Sequence, residues 1–393
     1  MKICGIIAEF NPLHNGHAYL IKKAREIADY VVCVMSGNFS QRGIPCAMTK
    51  FERARLAVLA GCDMVIELPV AFAVNSADEF AYGAVKILKA LGVTDIMFGS
   101  ESGDKNSLEK LAEFKLNEPP EFKQQLKTYL DSGLNYNTAY TSAMSDITSD
   151  ETLTKLSLSP NDILASSYMQ EIKRQCADIL VHVVKRTDKG YNDDTPKNNY
   201  LSASGILALR EQNKDYSSFV PPFTKIALDS APAFDYNILN AIITYQVNTQ
   251  DASTLQKIFG MTEGLEHLTK KTFDGTKTFD ENVSAMSGKR YRKSRIQKLF
   301  IYALLGLTKN DYQIIKNSKP ATRVLAVSKD NKELLSMFAR KDDISLIVSN
   351  SDYSLLNEDQ KISTNLDLKA SDLYSVCTGT ALRLDLTTPT LFE

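Results

Sequence analysis

The stretch MKICGIIAEFNPLHNGHAYL, residues 1–20, sets the fold. Its first part, Lys2 to Ala8, is a short apolar run carrying Ile3, Ile6 and Ile7, with the length and bulk of a buried parallel strand. EFNPLHNG then reads as a turn: Pro12 cannot continue a central strand, and Asn11, Asn15 and Gly16 are turn formers. From His17 the pattern is helical, with Leu20, Ile21, Ala24 and Ile27 on one face. A strand feeding a helix through a tight loop aims the helix's unpaired N–H groups into that loop, where they attract phosphate. His14-Asn15-Gly16-His17 stands at the junction.

These residue types suit nucleotide chemistry. Gly16 lets a ring or phosphate approach the backbone. Two imidazoles can donate hydrogen bonds to phosphates and stabilise the charge that develops when an α-phosphorus is attacked. Half of the chain's four histidines fall in this tetrapeptide. Two turn histidines without chemistry are the plainer reading, and the strand–loop–helix context argues against it.

The pattern repeats outward. Tyr30 to Met35 reads as a second buried strand, followed by the loop Ser36 to Gly43. Thr49 to Ala60 is helical, with Thr49 as N-cap and Glu52 completing a capping box. Asp63 to Leu68 is a third strand, Asp78 to Leu91 an amphipathic helix, and Thr94 to Phe98 a fourth strand ending at Gly99-Ser100-Glu101. Such alternation calls for an α/β fold with a Rossmann-like parallel sheet, whose ligand site lies at the carboxyl ends of its strands. The loops after the first, second and fourth strands all fall on that edge.

Residues 101–150 are polar and helical, an insertion or cover. Pro160-Asn161-Asp162 opens another helix with Asn161 placed as N-cap. Ile179 to Val184 is a strand ending at Lys185-Arg186, and Asp188 to Asn199 a polar loop. Ser202-Ala203-Ser204-Gly205 opens a helix and forms a second candidate phosphate cradle. Pro221-Pro222 suggests the end of the first domain, giving domains 1–225 and 226–393. Asp235 to Leu268 is largely helical. Between Ser287 and Gly306, the cations Lys289, Arg290, Arg292, Lys293, Arg295 and Lys298 precede an apolar half. A basic run is commonly a solvated helix face, but interleaved Tyr291 and the lack of neutralising acids favour phosphate or RNA contact. The tail, with short strand–helix units from Arg323 and a helical segment Leu366 to Cys377, reads as a small α/β appendage on a mostly helical C-terminal region.

Composition bounds the rest. The net charge of −1 over 393 residues gives no global basic signal, so any RNA surface is local. The six cysteines are scattered without a C-x-x-C pair, which argues against zinc or a disulfide framework and suits a reducing cytoplasm. Without a signal-peptide pattern or an apolar stretch of membrane-spanning length, the chain is expected to be cytoplasmic, with no membrane partner. The sequence shows no carboxylate cluster that announces a metal site.

The stretches GIIAEFNPLHNGHAYLI, VMSGNFSQRGIP, KFERARLAVLAGCDMVIELP, FGSESGD, SPNDILASSY, KRYRKSRIQKL and ASDLY resemble the tRNA(Met) cytidine acetate ligase family of the HIGH nucleotidyltransferase superfamily. They span nearly the whole chain. The resemblance implies an enzyme that uses ATP and acetate to make acetyl-adenylate, releases pyrophosphate, and acetylates the exocyclic amine of the wobble cytidine in elongator tRNA(Met). It implies ATP contact by Ile7, Ala8, Glu9, Phe10, Asn11, Pro12, Leu13, His14, Asn15, Gly16, His17, Ala18, Tyr19 and Leu20, with His14 and His17 catalytic. Gly99, Asn161 and Arg186 complete that set: Gly99 for close approach of adenosine, Asn161 for ribose or base, Arg186 for phosphate. Magnesium, where used, would be held mainly by the phosphates. No stable protein partner is implied. Gly99 also reads as a simple strand-end turn.

The superfamily's second motif, Ser-x-Ser/Thr-x-Ile-Arg, is matched by Ser202, Ser204, Gly205 and Ile206, but Leu207 stands where arginine is expected. Arg210, one turn later on the same face, is the candidate substitute. Two other readings fit the loop: a nucleotidyltransferase acting on a small phosphorylated metabolite, and a tRNA-binding protein whose catalytic site has decayed.

Overall fold

The computed structural model describes residues 1–148, 150–186 and 200–393. Five parallel strands form its centre: β1 (Ile3–Ala8), β2 (Tyr30–Ser36), β3 (Met64–Leu68), β4 (Asp95–Ser100) and β5 (Leu180–Lys185). Their order is β5-β4-β1-β2-β3, the doubly wound arrangement in which connections leave β1 in one direction and β4 in the other. The sequence dictates this burial. Successive side chains point to opposite faces, so Ile3, Ile7, Val32, Val34, Ile66, Ile96 and Phe98 enter one core. Cys4, Ile6, Val31, Cys33, Met35, Val65 and Met97 enter the other. The Ala77–Leu91 and Pro160–Arg174 helices cover the first face, and the Asn15–Arg25 and Lys50–Leu59 helices the second.

The α/β unit near the C-terminus is joined edge to edge to this sheet. β6 (Ala321–Val327) pairs antiparallel with β3, while β7 (Ser345–Ile347) and β8 (Leu391–Phe392) pair parallel with β6. All seven residues of β6 are buried, and that burial is available only with a neighbour on each edge. The insertion, helical from Lys105 to Leu156 in four segments, lies between β4 and β5, and the helical region from Pro222 to Asn317 lies between β5 and β6. The terminal helix runs Glu358–Thr378, longer at its start than the Leu366–Cys377 stretch expected from sequence.

An ionic cluster ties the C-terminal segment to the sheet. The fully buried Lys50 ammonium contacts Glu67 Oε2 at 2.6 Å and Asp385 Oδ1 at 2.5 Å. Arg323 donates to the Asp385 carbonyl at 2.5 Å, and Asp367 accepts from Val70 N at 2.7 Å. Burial disfavours the Lys50 ammonium, but Asp385 and then Glu67 outweigh it and raise its pKa. Burial, reinforced by Glu67, pushes Asp367 well above the usual carboxylate range. That direction favours the neutral form of Asp367, which would leave Lys50 and Arg323 facing the carboxylates of Glu67 and Asp385.

Local differences from the sequence reading have plain causes. Thr49 accepts from Glu52 N at 3.2 Å, but the Glu52 carboxylate turns to Arg55 at 2.7 Å, so only half the capping box forms. Asn161 is not the N-cap. Ser159 takes that position and Pro160 starts the helix, where its missing N–H costs nothing. Asp188 to Asn199 lies outside the described residues.

Candidate active site

The switch point of the sheet lies between β1 and β4, and the loops that leave their carboxyl ends meet there. The β1 loop is anchored from beneath by Phe10 and Leu13, both fully buried in the second core. Phe10 sits at φ +48°, a left-handed conformation uncommon for an aromatic residue. Asn11 Oδ1 accepts from Ala47 N at 2.8 Å and Glu9 Oε1 from Gln41 N at 2.6 Å. Within residues 7–20, then, Phe10 and Leu13 hold the loop from its apolar side, while Tyr19 lies out on the helix, 42% exposed.

His14 is the N-cap of the Asn15–Arg25 helix. Its Nδ1 accepts from Gly16 N at 3.1 Å and His17 N at 3.3 Å. The N–H groups expected to face phosphate are thus partly taken by the imidazole itself. An Nδ1 that accepts leaves the proton on Nε2, and this makes Nε2 the donor. Gly16 serves this arrangement: a Cβ there would lie 2.9 Å from His14 Cε1, so the glycine makes room for the capping ring. His17 stacks on His14 with centroids 3.7 Å apart and meets the edge of Phe10 at 5.0 Å. Burial first, then His14 and Arg186, hold its pKa well below the ordinary imidazole value. Two neutral imidazoles sit beside a permanent cation.

That cation, Arg186, follows β5. Its Nη1 donates to Asn161 Oδ1 at 3.3 Å, and Asn161 Nδ2 donates to Glu101 Oε1 at 2.8 Å. Gly99 lies under the same arginine: a Cβ would be 3.0 Å from Arg186 Cγ. Gly99, Asn161, Arg186 and His17 are brought together, and the space left by Gly99 is filled by the guanidinium stem. Gly99→Ala is therefore expected to displace Arg186 and weaken ATP binding about three- to tenfold by calorimetry, with little change in stability. Unchanged affinity would separate Gly99 from the nucleotide.

Sequence reasoning missed Asp162. Its carboxylate is 1% exposed and accepts from Ser100 Oγ at 2.5 Å, Glu101 N at 2.9 Å and Ser102 N at 3.2 Å. It fixes the loop after β4, and through Glu101 it fixes Asn161. An acid in the first turn after Pro160 was the available signal. Arg53 was also missed. This fully buried guanidinium donates to the carbonyls of Glu9 at 2.5 Å, Ser36 at 3.1 Å and Gly37, tying the β1 and β2 loops together. On the sequence it reads as an ordinary helical cation.

The second motif is placed differently. Ser202 caps the Ala203–Glu211 helix through Gly205 N at 3.2 Å, and Ser204 Oγ lies 3.2 Å from Ser202 Oγ. This helix buries Ile206 in the core that holds Phe10 and Leu13, and Leu207 packs there too. Arg210 donates to the Ala231 carbonyl at 3.3 Å from the last turn, about 12 Å of helix rise from Ser202.

The basic segment is split by its surroundings. Lys289, Arg290, Arg292, Lys293 and Arg295 are exposed. Arg290 pairs with Glu263 at 3.2 Å and Tyr291 donates to the same carboxylate at 2.6 Å, so an acid distant in sequence does neutralise part of the run. Arg295 stacks on Tyr291 at 4.7 Å, and Arg292 donates to Asn135 Oδ1 of the insertion at 3.1 Å. Lys298 turns inward to the Asn75 carbonyl at 2.9 Å, and burial lowers its pKa to about 8. Gly43, in the β2 loop, packs on the helix backbone at Lys298, which sets the basic helix against the carboxyl edge of the sheet.

Residues 1–386 match the HIGH Nucleotidyl Transferase family. The chain is 34% identical to the tRNA(Met) cytidine acetate ligase of Acetivibrio thermocellus, covering 96% of this chain and 95% of that one. It is 35% identical to the ligase of the same name from Caldanaerobacter subterraneus, with the same coverage. Among solved structures it is similar to Thermotoga maritima TmcAL, at 28% identity over 100% of this chain and 99% of that one. The TM-score is 0.90 for the apo crystal form and 0.89 for the form bound with alpha-thio ATP.

Proposed function

The chain belongs to the HIGH nucleotidyl transferase family and, within it, to the tRNA(Met) cytidine acetate ligases, and from that membership we propose how its residues divide the reaction. Acetate oxygen attacks the α-phosphorus of ATP; the bond to the β-phosphate breaks and pyrophosphate leaves with acetyl-adenylate behind. The exocyclic amine of the wobble cytidine in elongator tRNA(Met) then attacks the acetyl carbon, loses a proton and releases AMP. The convergence of His14, His17 and Arg186 at the switch point carries this reading. Neutral imidazoles donate without repelling the guanidinium, and Arg186 supplies charge at any working pH. Asn161 holds the guanidinium plane, and Gly99 leaves room for its stem.

Among the described residues there is no group of three or more His, Cys, Asp or Glu that could hold a metal. Magnesium would ride on the phosphates and neutralise their charge. Ser202, Ser204 and Gly205 form a helix start suited to the outgoing phosphates, while Arg210 serves the neighbouring helix. The cytoplasm is the proposed setting; among the described residues no helix is long and apolar enough to cross a membrane.

Residues 1–225 hold ATP and acetate in this reading, and 226–393 grip the tRNA through the exposed cations of 289–295. The contact of Gly43 with Lys298 supports it by bringing that surface to the reacting edge. Lys293→Ala is expected to weaken tRNA binding and to lower the slope of log K against log salt by about 0.7–0.9. Lys298→Ala, removing a cation committed to Asn75, should leave the slope unchanged. Equal slopes for both variants would remove the segment from the interface.

The deciding experiment measures pyrophosphate release from ATP plus acetate, then transfer of labelled acetate to bulk tRNA. Label in the wobble cytidine of elongator tRNA(Met) is the expected result. Release stimulated by a phosphorylated metabolite and indifferent to acetate would overturn it, as would tRNA binding without any acetate-dependent release.

A further inference from the structure

The segment after β2 is a small closed hairpin. Cys46 N donates to the Asn38 carbonyl and Ser40 N to the Ile44 carbonyl, each at 2.9 Å, and Phe39 bridges Pro45. Its turn and exit face the loop after β1, where Gln41 N reaches Glu9 Oε1 and Ala47 N reaches Asn11 Oδ1. Both acceptors belong to the stretch proposed to hold ATP. Backbone donors have no rotamers to adjust, so where the hairpin stands decides where Glu9 and Asn11 stand.

The base of this hairpin is held from the far end of the chain. Asn38 Nδ2 donates to Ser371 Oγ at 3.0 Å, and Tyr374 donates its hydroxyl to the Cys46 carbonyl at 2.9 Å. Ser371 and Tyr374 lie on successive turns of the Glu358–Thr378 helix, 3% and 1% exposed. Phe39 packs edge-on against Tyr374 at 6.3 Å and Phe234 at 6.4 Å. On its other side, Asn38 Oδ1 accepts from Lys50 N at 2.7 Å. The two hairpin residues that pair at the base are the same two that the terminal helix grips.

We propose that Ser371 and Tyr374 are positioning residues for the nucleotide site: the terminal helix fixes the Asn38–Cys46 hairpin, and the hairpin presents Glu9 and Asn11 to ATP. This rests on residues 7–20 being the ATP site. It places more than three hundred residues of sequence between the nucleotide loop and its support, so adenylation needs the C-terminal region even when no tRNA is present.

Tyr374→Phe keeps the ring and deletes one hydrogen bond; Ser371→Ala deletes the other. ATP is titrated calorimetrically into the full chain without acetate or tRNA, with thermal unfolding in parallel. Each variant is expected to bind ATP about three- to tenfold more weakly, with kcat for pyrophosphate release within about twofold. Ser371→Thr, which restores a hydroxyl, should recover wild-type affinity. Wild-type ATP affinity in both deletions, whatever their melting temperatures, overturns the proposal and leaves these contacts as packing. If Tyr374→Phe fails to fold, Ser371→Ala with its threonine rescue decides alone. Because the readout is ATP affinity, a wild-type protein that binds ATP but ignores acetate would count against the acetate reading and not against this one.

Discussion

His17→Ala is expected to lower acetate-dependent pyrophosphate release by about 10²–10³ while leaving tRNA affinity within about twofold of wild type. The ring stands 3.7 Å from His14 and beside Arg186, at the switch point where the α-phosphate is proposed to react. A preorganised donor lost from such a site is not replaced by water of equal orientation, which is why the effect is large. The proposed tRNA surface lies on exposed cations of another element, so it is untouched. Wild-type release rates in the variant, or loss of both activities together, would refute the division of labour. The pH dependence follows from the same geometry. Burial, His14 and Arg186 depress the imidazole's pKa, so it stays neutral from pH 8 down through the ordinary histidine range. Release should therefore show no inflection at about pH 6.5 from this residue. Stability behaves with the matching sign. Below about pH 6.5 the unfolded chain takes up the proton and the folded chain does not, so stability falls with pH from there towards the folded pKa. His17→Ala should flatten that acid limb, measured by urea unfolding at pH 7.5 and 5.5.

Lys50→Met is expected to cost about 3–5 kcal/mol of folding stability at neutral pH. Methionine fills much of the same volume, so the loss is electrostatic. Glu67 and Asp385 remain buried at 3% and 2% exposure without the ammonium that lies 2.6 and 2.5 Å from them. Burial already raises the pKa of Glu67, opposed chiefly by Lys50; with the lysine gone that opposition disappears. A carboxyl whose folded pKa is raised stabilises the fold at low pH and loses that contribution as pH rises through the folded value. The deficit of Lys50→Met should accordingly be smaller at pH 5.5 than at pH 7.5. Urea denaturation at both values tests this, and an equal or larger deficit at the lower pH would contradict it.

The strand–loop–helix reading of residues 1–20 needed no tertiary information, because an apolar run, a proline turn and a helical face are all local patterns. The same holds for the four following strands and for the edge on which their loops converge. Arg186 and Asn161 were marked by resemblance and not by pattern; local reasoning gave Asn161 the cap that Ser159 occupies, since Asn is favoured at caps wherever it stands near a helix start. The basic run was legible as charge. Its neutralisation by Glu263 and the inward turn of Lys298 were not, because both partners are distant in sequence.

Local chemistry in the sequence determined the sheet's parallel core, the histidine loop at its carboxyl edge and the helical character of the second half. Only the tertiary structure decided that Asp162 and Arg53 fix the loops, and that β6 and the terminal helix complete the first half of the chain. The reason is physical. Periodicity and turn chemistry act over a few residues, so the sequence displays them. Whether a buried charge or hydroxyl is satisfied depends on groups up to 333 positions away, and only the packed chain brings them within hydrogen-bonding distance.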